Sequence, residues 1–289
     1  MNNKIIRTYG EFFMNYRNHN TFSAEPLEHY HDSYEIAFYI EAKLNIFVRD
    51  KNYPISAGDI VFIDEYDIHK VIYSKDMRYT RYVINFRRDF IIDLLNALKT
   101  ESVLDSLLNR DYKRVSINLK QTSNLEESFK HLYNTYLETS VKDTDIHNAK
   151  IKSQLILLLI KINELFSQRK PISQAYGKKD YLVQQIVNYI DINYAKPINL
   201  DLLEKEFYVS KFYLSHVFKE LTGFPVVEYI LQRRVLEAKK MLHDGSKDIL
   251  DISLECGFNN LQHFYRVYKR IMHETPGSTL LKKEQHSNE

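Results

Sequence analysis

Two groups of side chains in this sequence have the types and spacing to do chemistry. The first is His29, His31 and Glu35, with His69 further on. His29, His31 and Glu35 share parity, so on one extended strand they face the same way, and His69 follows a Gly-Asp turn that can bring it to join them. Three imidazoles and a carboxylate make a ligand set for a divalent transition metal. Nearby Tyr34, Phe38 and Phe47 offer rings that can stack on a sugar or another small ligand, although parity alone leaves open which side faces inward. The second group is Leu261, Gln262, Tyr265, Arg266 and Lys269. Here Gln pairs with adenine, Arg with guanine or phosphate, and Leu touches a thymine methyl, which is the chemistry of base reading.

These groups must be positioned by folded elements, and 289 residues suffice for two domains with separate cores. The longest purely aliphatic run, Leu155 to Ile160, is far short of the roughly 20 residues that span a bilayer. The N-terminus also lacks a signal-peptide core. A soluble, cytoplasmic protein with no membrane partner is expected. One cysteine, Cys256, excludes an internal disulfide and any CxxC metal or redox motif, and is expected as a small buried apolar residue. No cofactor is assigned. The net charge of +2 gives no bulk attraction to nucleic acid, so any DNA binding must come from placed side chains.

Period-two alternation at Ile36, Phe38 and Ile40, at Leu44, Ile46 and Val48, at Ile60 and Phe62, and at Tyr82, Ile84 and Phe86 predicts short antiparallel strands within about 20–87. Pro54 and Ala57-Gly58-Asp59 supply turns between them. After Arg88 the spacing becomes helical, with helices near 89–109, 123–139 and 145–168. In the last, Ile151, Leu155, Leu158, Ile162 and Leu165 form a stripe. It suits either a two-helix seam between copies, hence a homodimer, or packing on its own β-domain. Gln168 to Asp180 mixes Pro, Gly, Ser and charge without periodicity, as a tether does. The expected division is a sensing and dimerising domain over 1–170, a linker over 171–179 and an all-α domain over 180–289.

Within that last part, Asn199 can cap a helix from Leu200 to Phe207, and Ser210 a second one to Leu221. Two helices so joined make a helix-turn-helix. Leu214, Val217, Phe218 and Leu221 form the inner face of the second, leaving Lys211, Phe212, Ser215, His216 and Lys219 outward as candidate DNA contacts. Gly223 closes it, and a long helix runs from Pro225 to about Leu242. The plan then repeats: Ile249 to Cys256, a turn at Gly257, a cap at Asn259 or Asn260, and a helix to about Met272 with Phe264, Val267, Tyr268 and Ile271 inward.

Ser210, Leu214, Phe218, Gly223, Tyr229, Arg234 and Ala238, followed by Ile252, Gly257, Phe258, Phe264, Arg266, Lys269 and Thr275-Pro276, resemble the paired helix-turn-helix domain of AraC-type transcription regulators over about 100 residues. Glu204 stands where that family usually has a small alanine, and His273 where it usually has glycine. The resemblance implies base readers at Phe212, Ser215 and His216 in the first unit and at Leu261, Gln262, Tyr265 and Arg266 in the second. HYHDSYE, PISAGD and His69 resemble the cupin jelly roll that such regulators often carry as a sensor. That resemblance implies an α+β chain, a cupin-like β-barrel with trailing helices followed by the double helix-turn-helix domain. It also implies double-stranded DNA and a small-molecule effector as partners, plus RNA polymerase if the chain activates. On this view His29, His31, Glu35, Phe38 and His69 contact an effector without metal. The alternative is a metal-dependent cupin enzyme fused to a DNA-binding domain, with His29, His31, Glu35 and His69 as ligands.

Overall fold

The alternation that starts at Tyr34 does not stop at Ile40 but continues as one strand, β2 (Tyr34–Val48), where two were expected. The structure, a computed structural model, describes residues 11–19, 33–72, 78–108, 113–117, 119–138, 144–168, 177–245 and 247–280. β2 is the spine of a seven-stranded antiparallel sheet that also contains β1 (Phe12–His19), β3 (Lys51–Ser56), β4 (Asp59–Ile63), β5 (His69–Ile72), β6 (Arg78–Phe86) and β7 (Arg114–Ser116). The first half of β2 pairs with β4 and β6, and its second half with β3 and β5. A bulge between Tyr39 and Glu41 separates the halves. Bulges bend and twist a strand, which lets this one serve two pairings and folds the sheet over. β1 and β7 lie outside the span expected for strands. Both exist through pairing with distant partners, β6 and β4, a signal that local alternation does not carry.

Pleating sends alternate β2 side chains to opposite faces. Tyr34, Ile36 and Phe38 join Phe62, Tyr82 and Phe86 in a core shared with helices α1 (Arg88–Leu98), α2 (Glu101–Leu108), α3 (Leu119–Leu137) and α4 (Thr144–Ser167). Ala37 and Tyr39 pack on the other, enclosed side with Val61, Ile63 and Val83. The helix expected over 89–109 is two, because Lys99 takes a left-handed conformation (φ 55°) that turns the chain and lets both Leu95 and Leu104 enter one core.

The stripe on α4 is spent inside this core. Ile151, Leu155, Leu158 and Ile162 are all buried there, with Leu158 1 % exposed, so the expected seam between copies is not formed by these residues. The reason is breadth: Ile156, Leu159 and Phe166 are buried too, which widens the apolar face beyond a coiled-coil seam to that of a core-facing helix.

The rest of the described chain is helical: α5 (Lys178–Asn193), α6 (Leu200–Phe207), α7 (Lys211–Thr222), α8 (Val226–Asp244), α9 (Ile249–Glu255) and α10 (Leu261–Met272). α5 was not foreseen as an element, although Val183, Ile186, Val187 and Ile190 form its buried face at helical spacing. α5, α6, α7 and the first part of α8 share one core, while the last part of α8, α9 and α10 share another. Phe47 and Ile68 of the sheet domain enter the first of these cores.

Candidate nucleic-acid interface

Both helix-turn-helix units are set by short-range caps. Asn199 Oδ1 accepts the N–H of Leu202 at 2.8 Å and starts α6. Ser210 Oγ accepts that of Tyr213 at 3.4 Å and starts α7. Glu204, the departure from alanine, has a local role: its Oε1 accepts the Lys211 N–H at 3.0 Å, so a carboxylate from α6 satisfies a donor at the N-terminus of α7. In the second unit Asp248 caps α9 through the N–H of Asp251 at 2.8 Å. Of the two candidate caps for α10 it is Asn260 that accepts, from His263 at 2.9 Å. The other departure, His273, ends α10 in the left-handed conformation (φ 61°) with its N–H on Lys269 O at 2.9 Å, doing what a glycine would do at a steric cost.

On α7, Phe212 is 81 % exposed, His216 and Lys219 are exposed, and Lys211 and Ser215 are half-buried. The Lys211 ammonium donates to Asp201 at 2.8 Å, and that bond holds the lysine above and the aspartate below their usual pKa ranges. His216 lies 3.8 Å from Glu220, which also binds Lys179 at 3.0 Å. On α10, Leu261, Gln262, Tyr265, Arg266 and Lys269 are all exposed on one side, with Phe264, Val267, Tyr268 and Ile271 buried on the other.

α8 joins the units as a 19-residue rod, about 28 Å long at roughly 1.5 Å per residue. Arg234 braces it by donating to Tyr194 O at 2.7 Å and Lys196 O at 2.8 Å, with its guanidinium over the Phe258 ring. Both helices are thus fixed to α8, α7 at its N-terminal part and α10 along its later part, with Arg270 of α10 reaching back to Glu228 at 2.9 Å.

The N-terminal candidates are dispersed. Glu35 is buried and accepts from Asn85 Nδ2 at 3.2 Å, across the β2–β6 pairing. Phe38, expected beside a ligand, has the opposite parity and is buried against α3, its ring stacked on Phe129 at 5.0 Å. Tyr34 likewise faces the helices, and Phe47 meets the edge of Tyr229 at 6.2 Å. His69 pairs opposite Val48, whereas Glu35 pairs opposite Ile63, so the two stand at opposite ends of β2 and do not form one set. The His69 ring is instead held by Asp67 O at 2.9 Å from Nδ1. His29 and His31 lie outside the described residues. Among the described residues no group of three or more His, Cys, Asp or Glu is gathered as a metal would require.

Sequence reasoning missed Arg81 and Tyr39. Arg81 is buried, donates to Tyr39 Oη at 2.9 Å and lies over the Tyr39 and Tyr79 rings. Burial raises the Tyr39 phenol above its usual pKa. The available signal was a charged residue at the inward parity of an apolar strand. Cys256 is buried as expected, and burial pushes its thiol up to about 12.

Residues 203–282 match a family described as a helix-turn-helix domain, and residues 16–159 one described as an AraC-like ligand binding domain. Regulatory protein SoxS of Salmonella typhimurium is 35 % identical over 95 residues, 33 % of this chain and 89 % of SoxS. The HTH-type transcriptional regulator YdiP of Escherichia coli is 26 % identical over 260 residues, 85 % of this chain and 78 % of YdiP. The HTH-type transcriptional activator RhaS of Pectobacterium carotovorum is 23 % identical over 255 residues, 87 % of this chain and 86 % of RhaS. No helix among the described residues is long and apolar enough to cross a membrane. With a ligand-binding family over the sheet domain and a DNA-binding one over the paired units, the chain belongs to the AraC family of transcription regulators and is not an enzyme of the cupin type.

Proposed function

We propose that the chain activates transcription by laying α7 and α10 into successive major grooves of double-stranded DNA, and that a small molecule taken up by the N-terminal domain alters how they are presented. The observation that carries this is the pair of exposed helix faces held by α8, whose length of about 28 Å approaches the roughly 34 Å of one DNA turn. Gln262 and Arg266 read base edges, Leu261 and Tyr265 add apolar contact, and Lys269 binds phosphate. Phe212, Ser215 and His216 line the groove from α7, with Lys211 and Lys219 toward the backbone. Activation, and with it contact to RNA polymerase, is supported by the RhaS relatives, which are named as activators. A homodimer would need a surface other than the buried α4 stripe, and Leu157, 62 % exposed on the outer side of α4, offers one.

The test is capture of fragmented genomic DNA by the purified protein at physiological salt, with Arg266→Ala as control. A few enriched sites that the variant loses are expected. Enrichment indifferent to the variant would remove α10 as the reading helix.

A further inference from the structure

The sheet domain and the first reading unit meet along a built seam. Lys70 Nζ donates to Gly223 O at 2.9 Å, at the C-terminus of α7. Tyr229 Oη donates to Arg49 O at 3.2 Å, and Gln184 Nε2 to Asp50 Oδ2 at 2.9 Å. Beside these contacts lies a cavity of about 360 Å³, within the roughly 300–1,000 Å³ of small-molecule sites. The sheet domain contributes Arg49, Asp64, Tyr66 and Asp67 to its wall, and α5 and α8 contribute Asp191, Tyr229, Arg233 and Lys240. Among the described lining residues only Ile68 and Leu108 are aliphatic.

We propose that this cavity is an effector site for a neutral, polyhydroxylated molecule of monosaccharide size, whose binding fixes the first reading unit against the sheet domain. The proposal rests on the regulator reading above and gives its ligand a place and a chemical class. Among the described lining residues three cations balance three carboxylates, four of these groups as the direct pairs Arg49–Asp67 at 3.2 Å and Arg233–Asp191 at 3.3 Å, so a ligand with net charge gains from one set what it loses to the other. An apolar ligand would cover those charges without giving them hydrogen bonds, which is costly. A polyol accepts from the guanidinium and ammonium groups and donates to the carboxylates. The polar network of this wall is not closed: Arg233 Nε and Asp191 Oδ1 form an ion pair at 3.3 Å, yet neither atom completes a hydrogen bond. Lys240 sits 4.8 Å from the centre of the Tyr66 ring, so that ring and ammonium bound one end of the cavity together. By contrast the enclosed side of the sheet is filled from within, by Tyr39 and Arg81 among aliphatic side chains. Because both domains supply the wall, a ligand here binds the closed seam better than an open one, and that difference in affinity is what switching requires.

The experiment is thermal unfolding of the full chain with D-glucose, D-xylose and myo-inositol, and with citrate, spermidine and decanoate as charged and apolar comparators. A neutral polyol should raise the melting temperature of the wild type and of Glu35→Gln, which alters the enclosed side of the sheet. Lys240→Met and Asp64→Asn should each weaken that binding by roughly tenfold, the effect of one hydrogen bond to a charged group. Binding lost in Glu35→Gln and kept in Lys240→Met would move the effector inside the sheet. A response only to citrate, spermidine or decanoate would overturn the class, and no response at all would overturn the site. Capture of specific DNA by the same preparation reports on the regulator reading independently, so the two failures are told apart.

Discussion

The two helix-turn-helix units follow one plan but differ in what they touch. The first shares its core with Phe47 and Ile68 of the sheet domain, has Lys70 bonded to the end of α7, and keeps its best cation, Lys211, tied to Asp201. The second packs on the last part of α8, sets its turn at Gly257 close to Ala195 just after α5, and presents Gln262 and Arg266 to solvent. On the proposed reading this difference divides the work, with base reading concentrated in the second unit and the state of the N-terminal domain felt through the first.

The turn glycines test this division most strongly. Gly257 has φ +83°, and a Cβ there would stand 2.5 Å from the carbonyl oxygen of Ala195, a backbone atom that cannot swing away. Left-handed strain and overpacking together give Gly257→Ala an expected loss of about 3 kcal/mol, read by chemical denaturation. Gly223 also has positive φ, +77°, but its nearest neighbour is Lys70 Cδ at 2.8 Å, on a flexible chain. Gly223→Ala should cost about 1–2 kcal/mol and loosen the seam. Equal losses would mean the units are equally rigid.

Next in size is DNA binding. Arg266→Ala is expected to lower affinity for a captured site by about 1–3 kcal/mol without unfolding the protein. Lys211→Ala should cost less than that, because the lysine must leave Asp201 to reach phosphate. Fluorescence anisotropy of both variants gives the ranking, and the reverse order would place reading in the first unit. A smaller, opposite effect is expected at His273, where glycine removes left-handed strain and should stabilise by about 1 kcal/mol in thermal or chemical unfolding.

The last test is at the seam. Burial, opposed by Arg233, lifts the Asp191 carboxyl from 3.8 to about 6. A raised carboxyl favours the protonated folded form, so its contribution is full below 3.8 and is lost as pH rises to about 6. The melting temperature of the wild type relative to Asp191→Asn should fall across that interval and stay level above it. A difference that is flat throughout would show the carboxyl is not held out of water.

Legibility followed the range of the forces involved. α6, α9 and α10 begin where Asn199, Asp248 and Asn260 cap them through bonds to the third residue onward, and their apolar faces repeat every three or four residues. Such signals lie within one turn of chain. The sites of the sheet domain were far less readable. Phe38 and Glu35 differ only in parity, and which parity faces the helices is set by α3 and α4 arriving from about 90 residues and more down the chain. His69 was grouped with Glu35 because a turn separated their strands, but β5 pairs with the far half of β2.

The sequence alone therefore determined the paired helix-turn-helix units, most of their helix limits and the outward faces of α7 and α10, because caps and helical periodicity are local. Only the tertiary structure decided that the α4 stripe is core, that Glu204 caps α7, and that Arg49, Asp67, Asp191 and Arg233 enclose a shared cavity. Those outcomes depend on which surfaces meet, and pairing between residues far apart in the chain leaves no periodic trace in either partner.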